Sequence, residues 1–372
     1  MLIVDGHLDL ALNARCHERD LRLEVTEIRR REGRGVADGR GICMVSLPEL
    51  RRGEVALVTS TVLARCKPWI DLGRTINRDD LDYPDATMCY SVAQGELAYY
   101  RLLESLGELC IIESVTGLDR HIDSWVLGNT RAIGLIVTME GADPIVEPQQ
   151  IHQWYRQGLR TLMLAHFGRS RYAAGTPSSD PANTNDVDGP LTNLGIELLD
   201  QMQSLNMSLD LSHCSDQSFF DAINAFNGPI YASHSTCRAL VPAARCVHAM
   251  RMQTDEQLQR IIERDGVIGL TMFNAHLQPE DGPCGSDEVS LTAVVDHVDH
   301  ICQLAGSAAY VAIGSDLDGG FGTDHTPIGL DTIADLAQIG PRLRDRGFGE
   351  SDVEAFFGGN WLRFWRRTLP AQ

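Results

Sequence analysis

A chain of 372 residues suits one large α/β barrel or two ordinary domains, and its 43% hydrophobic content supplies a sizeable core. A formal charge of −19 argues against a polyanion such as nucleic acid as partner and accords with cation binding. No stretch approaches the ~18–20 apolar residues of a membrane span, and the first ten residues lack the basic start and cleavage site of a secretory signal. The ten cysteines are scattered, with no C-x-x-C pair, as reduced thiols of a cytoplasmic protein would be.

In chain order, the apolar run at 2–4 opens a strand that leads into DGHLDL at 5–10. Alternate residues of a strand share a face, with Cα atoms roughly 6–7 Å apart, so His7 and Asp9 can converge on one object. The same pair also reads as a polar strand end with a helix-capping aspartate. Residues 17–40, rich in Arg, Glu and Gly, read as a mobile or solvent-facing excursion. Apolar, β-prone runs recur at 55–63, 109–112, 133–139, 161–165, 207–211, 229–232, 267–272 and 310–313. Helical patterns separate most of them. One covers 91–106; another, over 256–264, opens on the capping box Thr254-Asp255-Glu256-Gln257.

Continuous apolar strands alternating with helices indicate a parallel sheet covered on both faces. Nine candidate strands exceed the eight of a closed barrel, and the short run at 109–112 is assigned as an extra strand outside it. The expected fold is therefore α/β, a (β/α)8 TIM-type barrel forming one domain over 1–372, with excursions near 17–40 and 169–190.

In such a barrel the active site lies at the C-terminal strand ends. Those ends carry His7 and Asp9, Glu140, His166, His213, His234 and Asp316. A lone buried histidine is usually a hydrogen-bonded core residue. Six polar strand ends around one cavity are harder to explain that way, because imidazoles and carboxylates crowded together repel or desolvate one another unless cations sit among them. The donor set suits zinc and is large enough for two ions, which need a bridging anion. Many binuclear barrel hydrolases bridge with a carbamylated lysine. Lys67, the only lysine, lies in the loop-like Cys66-Lys67-Pro68-Trp69, away from any strand end, which leaves a carboxylate, with Glu140 the candidate.

These residues resemble the renal (membrane) dipeptidase family of metallopeptidases, in the amidohydrolase superfamily of (β/α)8 barrels. The matching stretches are DGHLDL (5–10), MEGAD (139–143), LAHFGRS (164–170), DLSHCS (210–215), ASHSTCRAL (232–240), GSDLDGG (314–320) and GGNWLRF (358–364), in family order across nearly the whole chain. The resemblance implies two Zn²⁺ per chain. His7 and Asp9 would hold one, His213 and His234 the other, and Glu140 would bridge them. It implies that His166 contacts the substrate carbonyl and that Asp316 passes a proton from the bridging water to the leaving amine. Two metals lower the pKa of a shared water and polarise the carbonyl. The implied substrates are free dipeptides, L-Xaa-D-Xaa included, and the implied assembly is a homodimer.

The family also holds the substrate's C-terminal carboxylate with an arginine, whose fork matches a carboxylate. Counting forward from Ser-His-Ser selects Arg245, slightly preferred; counting back from Thr-Asp-Glu-Gln selects Arg251. About six residues are inserted between the two counts. In the loop after His166, Tyr172, Asn183 and Asp186 are candidate contacts, with solvated loop the plainer reading. Asp318 is expected to support the site, and Trp361 and Trp365 to pack a helix on the barrel. Two other readings remain: a metal-dependent hydrolase of an N-acyl amino acid or cyclic amide, and a non-catalytic metal-binding barrel. The second has no need of Asp316 and His166.

Overall fold

The computed structural model describes residues 1–33, 39–66, 82–177, 188–241, 249–278 and 288–372. Its strands, in chain order, are β1 (Ile3–Leu8), β2 (Val55–Val62), β3 (Arg65–Cys66), β4 (Asp82–Tyr83), β5 (Leu109–Ile111), β6 (Ile133–Met139), β7 (Leu159–Met163), β8 (Ser208–Asp210), β9 (Ile230–Ser235), β10 (Ile268–Leu270) and β11 (Val311–Ile313). Eight of them pair in parallel in the order β1-β2-β6-β7-β8-β9-β10-β11. The last returns to the first through two bonds, Ser315 N–H to Asp5 Oδ1 at 2.8 Å and Asp316 N–H to His7 O at 3.2 Å. The result is the nearly closed (β/α)8 TIM-type barrel expected from the sequence.

Strands β2 and β6 are buried along their whole length, which is why each reads as a largely apolar, β-prone run without polar alternation. The strand set aside from the barrel, β5, pairs only with the start of β6, Leu109 opposite Ile133, off the barrel path. Helix starts follow side-chain caps. Asp85 accepts from the Thr87 and Met88 amides, so the helix expected over 91–106 begins earlier, at Ala86. Thr254 and Gln257 form the expected capping box before the helix Asp255–Glu263.

The C-terminal helix Asn360–Thr368 packs as expected: Trp361 and Trp365 are fully buried, and the Trp361 indole donates to Ile313 O at 2.7 Å. Gly6 makes room for it, since a Cβ there would lie 2.3 Å from the Trp361 ring. Truncating so buried an aromatic costs about 3–5 kcal/mol in a typical core.

Two expectations need correction. The described part of 17–40 is packed rather than solvent-facing. Leu21, Val25 and Ile28 are buried at helical spacing on and before the helix Val25–Glu32, and Arg19 is buried against Glu32 and Asp318. Arg30 and Arg31, paired with Glu27 on the helix's outer face, hide the apolar stripe. Tyr172 is likewise no solvated loop contact: it is buried, and its hydroxyl donates to Ile145 O at 2.5 Å. Asn183, Asp186 and Lys67 lie outside the described residues.

Candidate metal centre

The barrel mouth gathers what the strand ends promised. Glu140, just past β6, is fully buried and turns one carboxylate oxygen to each side. Its Oε1 lies 3.3 Å from His213 Nε2 and 3.4 Å from His234 Nε2, while Oε2 lies 3.6 Å from His7 Nε2. Asp9 Oδ1 and Asp316 Oδ1 are each 3.8 Å from His7 Nε2. His166 Nε2 is 3.7 Å from Glu140 Oε1. Three overlapping donor groups result: His7–Asp9–Glu140, Glu140–His166–His213 and His7–His234–Asp316.

The arrangement fits cations. His213 and His234 face each other Nε2 to Nε2 at 3.0 Å, two nitrogens that cannot both present lone pairs unless something positive lies between them. Buried His7 Nε2 and Glu140 Oε2 have no hydrogen-bond partner. Donors about 2.0–2.1 Å from a tetrahedral zinc stand roughly 3.3 Å apart, close to the spacings around Glu140 Oε1.

A layer of hydrogen bonds orients these donors, as metal sites require. The Ser233 hydroxyl lies 2.7 Å from His234 Nδ1 and 3.3 Å from His7 Nδ1, bracing both rings. Thr61 Oγ1 donates to Asp9. Asp5 accepts from the His7 and Ser315 amides, and Asp210 from the Ser212 and Ser233 amides, each stitching two neighbouring strand ends. Asp318, two residues past Asp316, is buried, accepts from the Met44 and Val45 amides and pairs with Arg19. His213 and Asp316 sit at φ 63 and 58, left-handed backbone that non-glycine residues adopt only where the surroundings enforce it.

Of the two candidate arginines, Arg251 is at the site. It is fully buried, and its Nη1 donates to His234 O at 2.9 Å. Arg245 lies outside the described residues. Sequence reasoning also missed His276, buried with neither ring nitrogen partnered and with its pKa pushed well down by burial and then by the Arg251 charge. Asp5 and Asp210 had a signal that went unused, an aspartate two or three residues before a strand-end histidine.

Electrostatically the metal-free cluster is frustrated. Burial pushes Asp9 and Glu140 each up to about 7 and Asp316 well above the carboxylate range. Burial, with the Arg251 charge among the lesser causes, drives His213 and His234 well below the ordinary imidazole value. Metals bind ionised carboxylates, so an ion held by Asp9 and Glu140 would expel their protons on loading. Calorimetric zinc titrations of chelator-treated protein, run in buffers of different ionisation heat, are expected to show net proton release. It should be largest near pH 6 and smaller at pH 8.5, where both groups, with values about 7, have already ionised. Release that is absent at pH 6 or grows with pH would contradict this.

A family model for membrane dipeptidase, peptidase family M19, matches residues 1–371. An uncharacterised protein in the pqqA 5′ region of Klebsiella pneumoniae is 30% identical over 263 residues, 70% of this chain and 90% of that one. Dipeptidase aclJ of Aspergillus oryzae is 29% identical over 232 residues, 62% of this chain, and the match spans only 50% of its own length. A metallo peptidase from Rhodobacter sphaeroides, solved with a phosphinate mimic of the dipeptide L-Ala-D-Ala, shares the fold: TM-score 0.76 over 99% of both chains, at 24% identity. With a matching family model along essentially its whole length, the chain belongs to the membrane dipeptidase family, peptidase family M19, a family of dipeptide-hydrolysing enzymes.

Proposed function

We propose that this protein is a binuclear zinc dipeptidase that hydrolyses the peptide bond of free dipeptides, L-Xaa-D-Xaa among them. The observation that carries the reading is the split carboxylate of Glu140, one oxygen toward His213 and His234 and the other toward His7. His7 and Asp9 would hold one ion, His213 and His234 the other, with Glu140 shared. Bound there, the ions supply an activated water and polarise the scissile carbonyl.

The chain's own groups do the rest. Asp316, beside His7 at the rim of the cluster, accepts the water's proton and delivers it to the leaving amine. His166 donates to the carbonyl oxygen as negative charge grows on it. Arg251 takes the substrate's C-terminal carboxylate, which fixes the scissile bond over the cluster. The mimic of L-Ala-D-Ala on the Rhodobacter sphaeroides relative supports both the substrate size and the D-residue.

Among the described residues no helix is long and apolar enough to cross a membrane, and the described cysteines are free thiols. The free thiols fit a cytoplasmic enzyme and the acidic charge fits one without a nucleic-acid partner, while one catalytic domain over 1–372 and a homodimer are the organisation that the family resemblance implies.

The test is hydrolysis of a stereochemically defined dipeptide library by chelator-stripped protein, before and after zinc. Recovery only with zinc supports the reading; activity surviving thorough metal removal refutes it. Brisk turnover of an N-acyl amino acid with none of any dipeptide would favour the other amidohydrolase reading. Arg251→Met is expected to lower kcat/KM about 10–100-fold, mainly through KM, the size of one charged hydrogen-bond pair. It should also erase the preference for a dipeptide over its C-terminal amide, which steady-state kinetics on both substrates will read.

A further inference from the structure

Behind His166, on the side away from Glu140, lies a buried arginine that the reaction outlined above does not use. Arg65 forms β3 with Cys66, and β3 pairs with β4 so that Arg65 stands opposite Asp82. Both side chains are buried. Arg65 Nε and Nη2 meet the two Asp82 oxygens at 2.8 and 2.9 Å, a bidentate pair that fixes the guanidinium plane. Its remaining nitrogen, Nη1, lies 3.2 Å from His166 Nδ1.

A guanidinium has donors and no acceptor. In that contact Nδ1 must offer its lone pair, and the proton of the neutral ring must then sit on Nε2. Nε2 is the edge that faces the cluster, 3.7 Å from Glu140 Oε1. We propose that Arg65, held in place by Asp82, is a positioning residue that locks His166 in its Nε2–H tautomer. This rests on the reading of His166 as the donor to the scissile carbonyl.

The lock has two consequences. It presents a donor where negative charge develops, whereas the other tautomer would present a repelling lone pair. It also keeps His166 from competing for metal, although its Nε2 lies within reach of the donors Glu140 and His213. A protonated nitrogen cannot ligate, so one histidine of the cluster stays free for substrate.

The test combines a spectrum with kinetics. Two-bond ¹H–¹⁵N spectra of the zinc-loaded, histidine-labelled full chain assign His166 by its loss in His166→Ala. They are expected to show Nε2 protonated and Nδ1 bare, and to lose that pattern in Arg65→Met. Arg65→Met is expected to lower kcat about 10–100-fold with little change in KM, the usual range for a partner behind a site residue. In the His166→Ala background the same substitution should change kcat by less than about 3-fold, because the two residues act as one unit. Asp82→Asn, which frees the guanidinium while keeping side-chain shape, gives a weaker form of each effect and serves if Arg65→Met does not fold.

A wild-type His166 protonated on Nδ1, a tautomer unmoved by both variants, or an equal kcat loss with and without His166 overturns the inference. A fully active His166→Ala would overturn the role given to His166 and the kinetic half of this inference with it. The tautomer would still be decided by the spectrum alone.

Discussion

Glu140→Gln is expected to abolish dipeptide turnover, by about 10³-fold or more, and to lower bound zinc from two per chain toward one or none. The amide keeps the shape of the carboxylate but replaces one oxygen with an NH₂ group that cannot ligate. Whichever way it turns, it fails either His213 and His234 or His7. The loss should not come from unfolding. Folded Glu140 keeps its proton up to about pH 7, while the unfolded chain releases it near the ordinary 4.5, so the metal-free parent loses stability as pH rises through that window. The variant has no charge to bury. Metal-free Glu140→Gln should therefore melt no lower than its metal-free parent at pH 8, with the gap in its favour vanishing below pH 4.5, as thermal melts with chelator present will show. A variant that retains both metals and full turnover would mean that Glu140 does not bridge.

Asp316→Asn is expected to separate chemistry from metal binding. Turnover should fall about 10²–10⁴-fold, the usual range for loss of a positioned proton carrier, while zinc content stays at its parental level. The residue is well placed to carry a proton, being buried, at φ 58, and 3.8 Å from His7 Nε2. Gly319 leaves room for its carboxylate, because a Cβ on that glycine would sit 1.9 Å from Asp316 Oδ1. Gly319→Ala should thus reproduce much of the loss although the added methyl need touch no substrate. Metal analysis and steady-state kinetics on the two variants check both statements. Unchanged activity in Asp316→Asn would shift the balance toward a binding protein that merely retains metal.

Most of the barrel was legible because strands buried on both faces read as continuous apolar runs, and a histidine or acid at the end of such a run stands out. His7, Glu140, His166, His213, His234 and Asp316 were found in that way. The groups behind them were not. Ser233 and Thr61 look like ordinary strand residues, and their role appears only when barrel closure brings His7 near Ser233 and the neighbouring strand sets Asp9 beside Thr61. Arg65 and Asp82 lie in two-residue strands whose pairing has no periodicity to read. Arg251 was ambiguous because an insertion separates the two anchors from which it can be counted, and its place at the site shows only in its burial against the His234 carbonyl. The helix Val25–Glu32 was concealed by charge: Val25 and Ile28 are a thin apolar stripe among arginines and glutamates.

The most direct test of two metals caged at the barrel mouth is a crystal structure of zinc-loaded protein with anomalous data collected on either side of the zinc absorption edge. Two peaks should appear, one between Glu140, His213 and His234 and one between Glu140, His7 and Asp9. A single peak, or peaks that leave Glu140 uncoordinated, would contradict a shared carboxylate at the centre of the site.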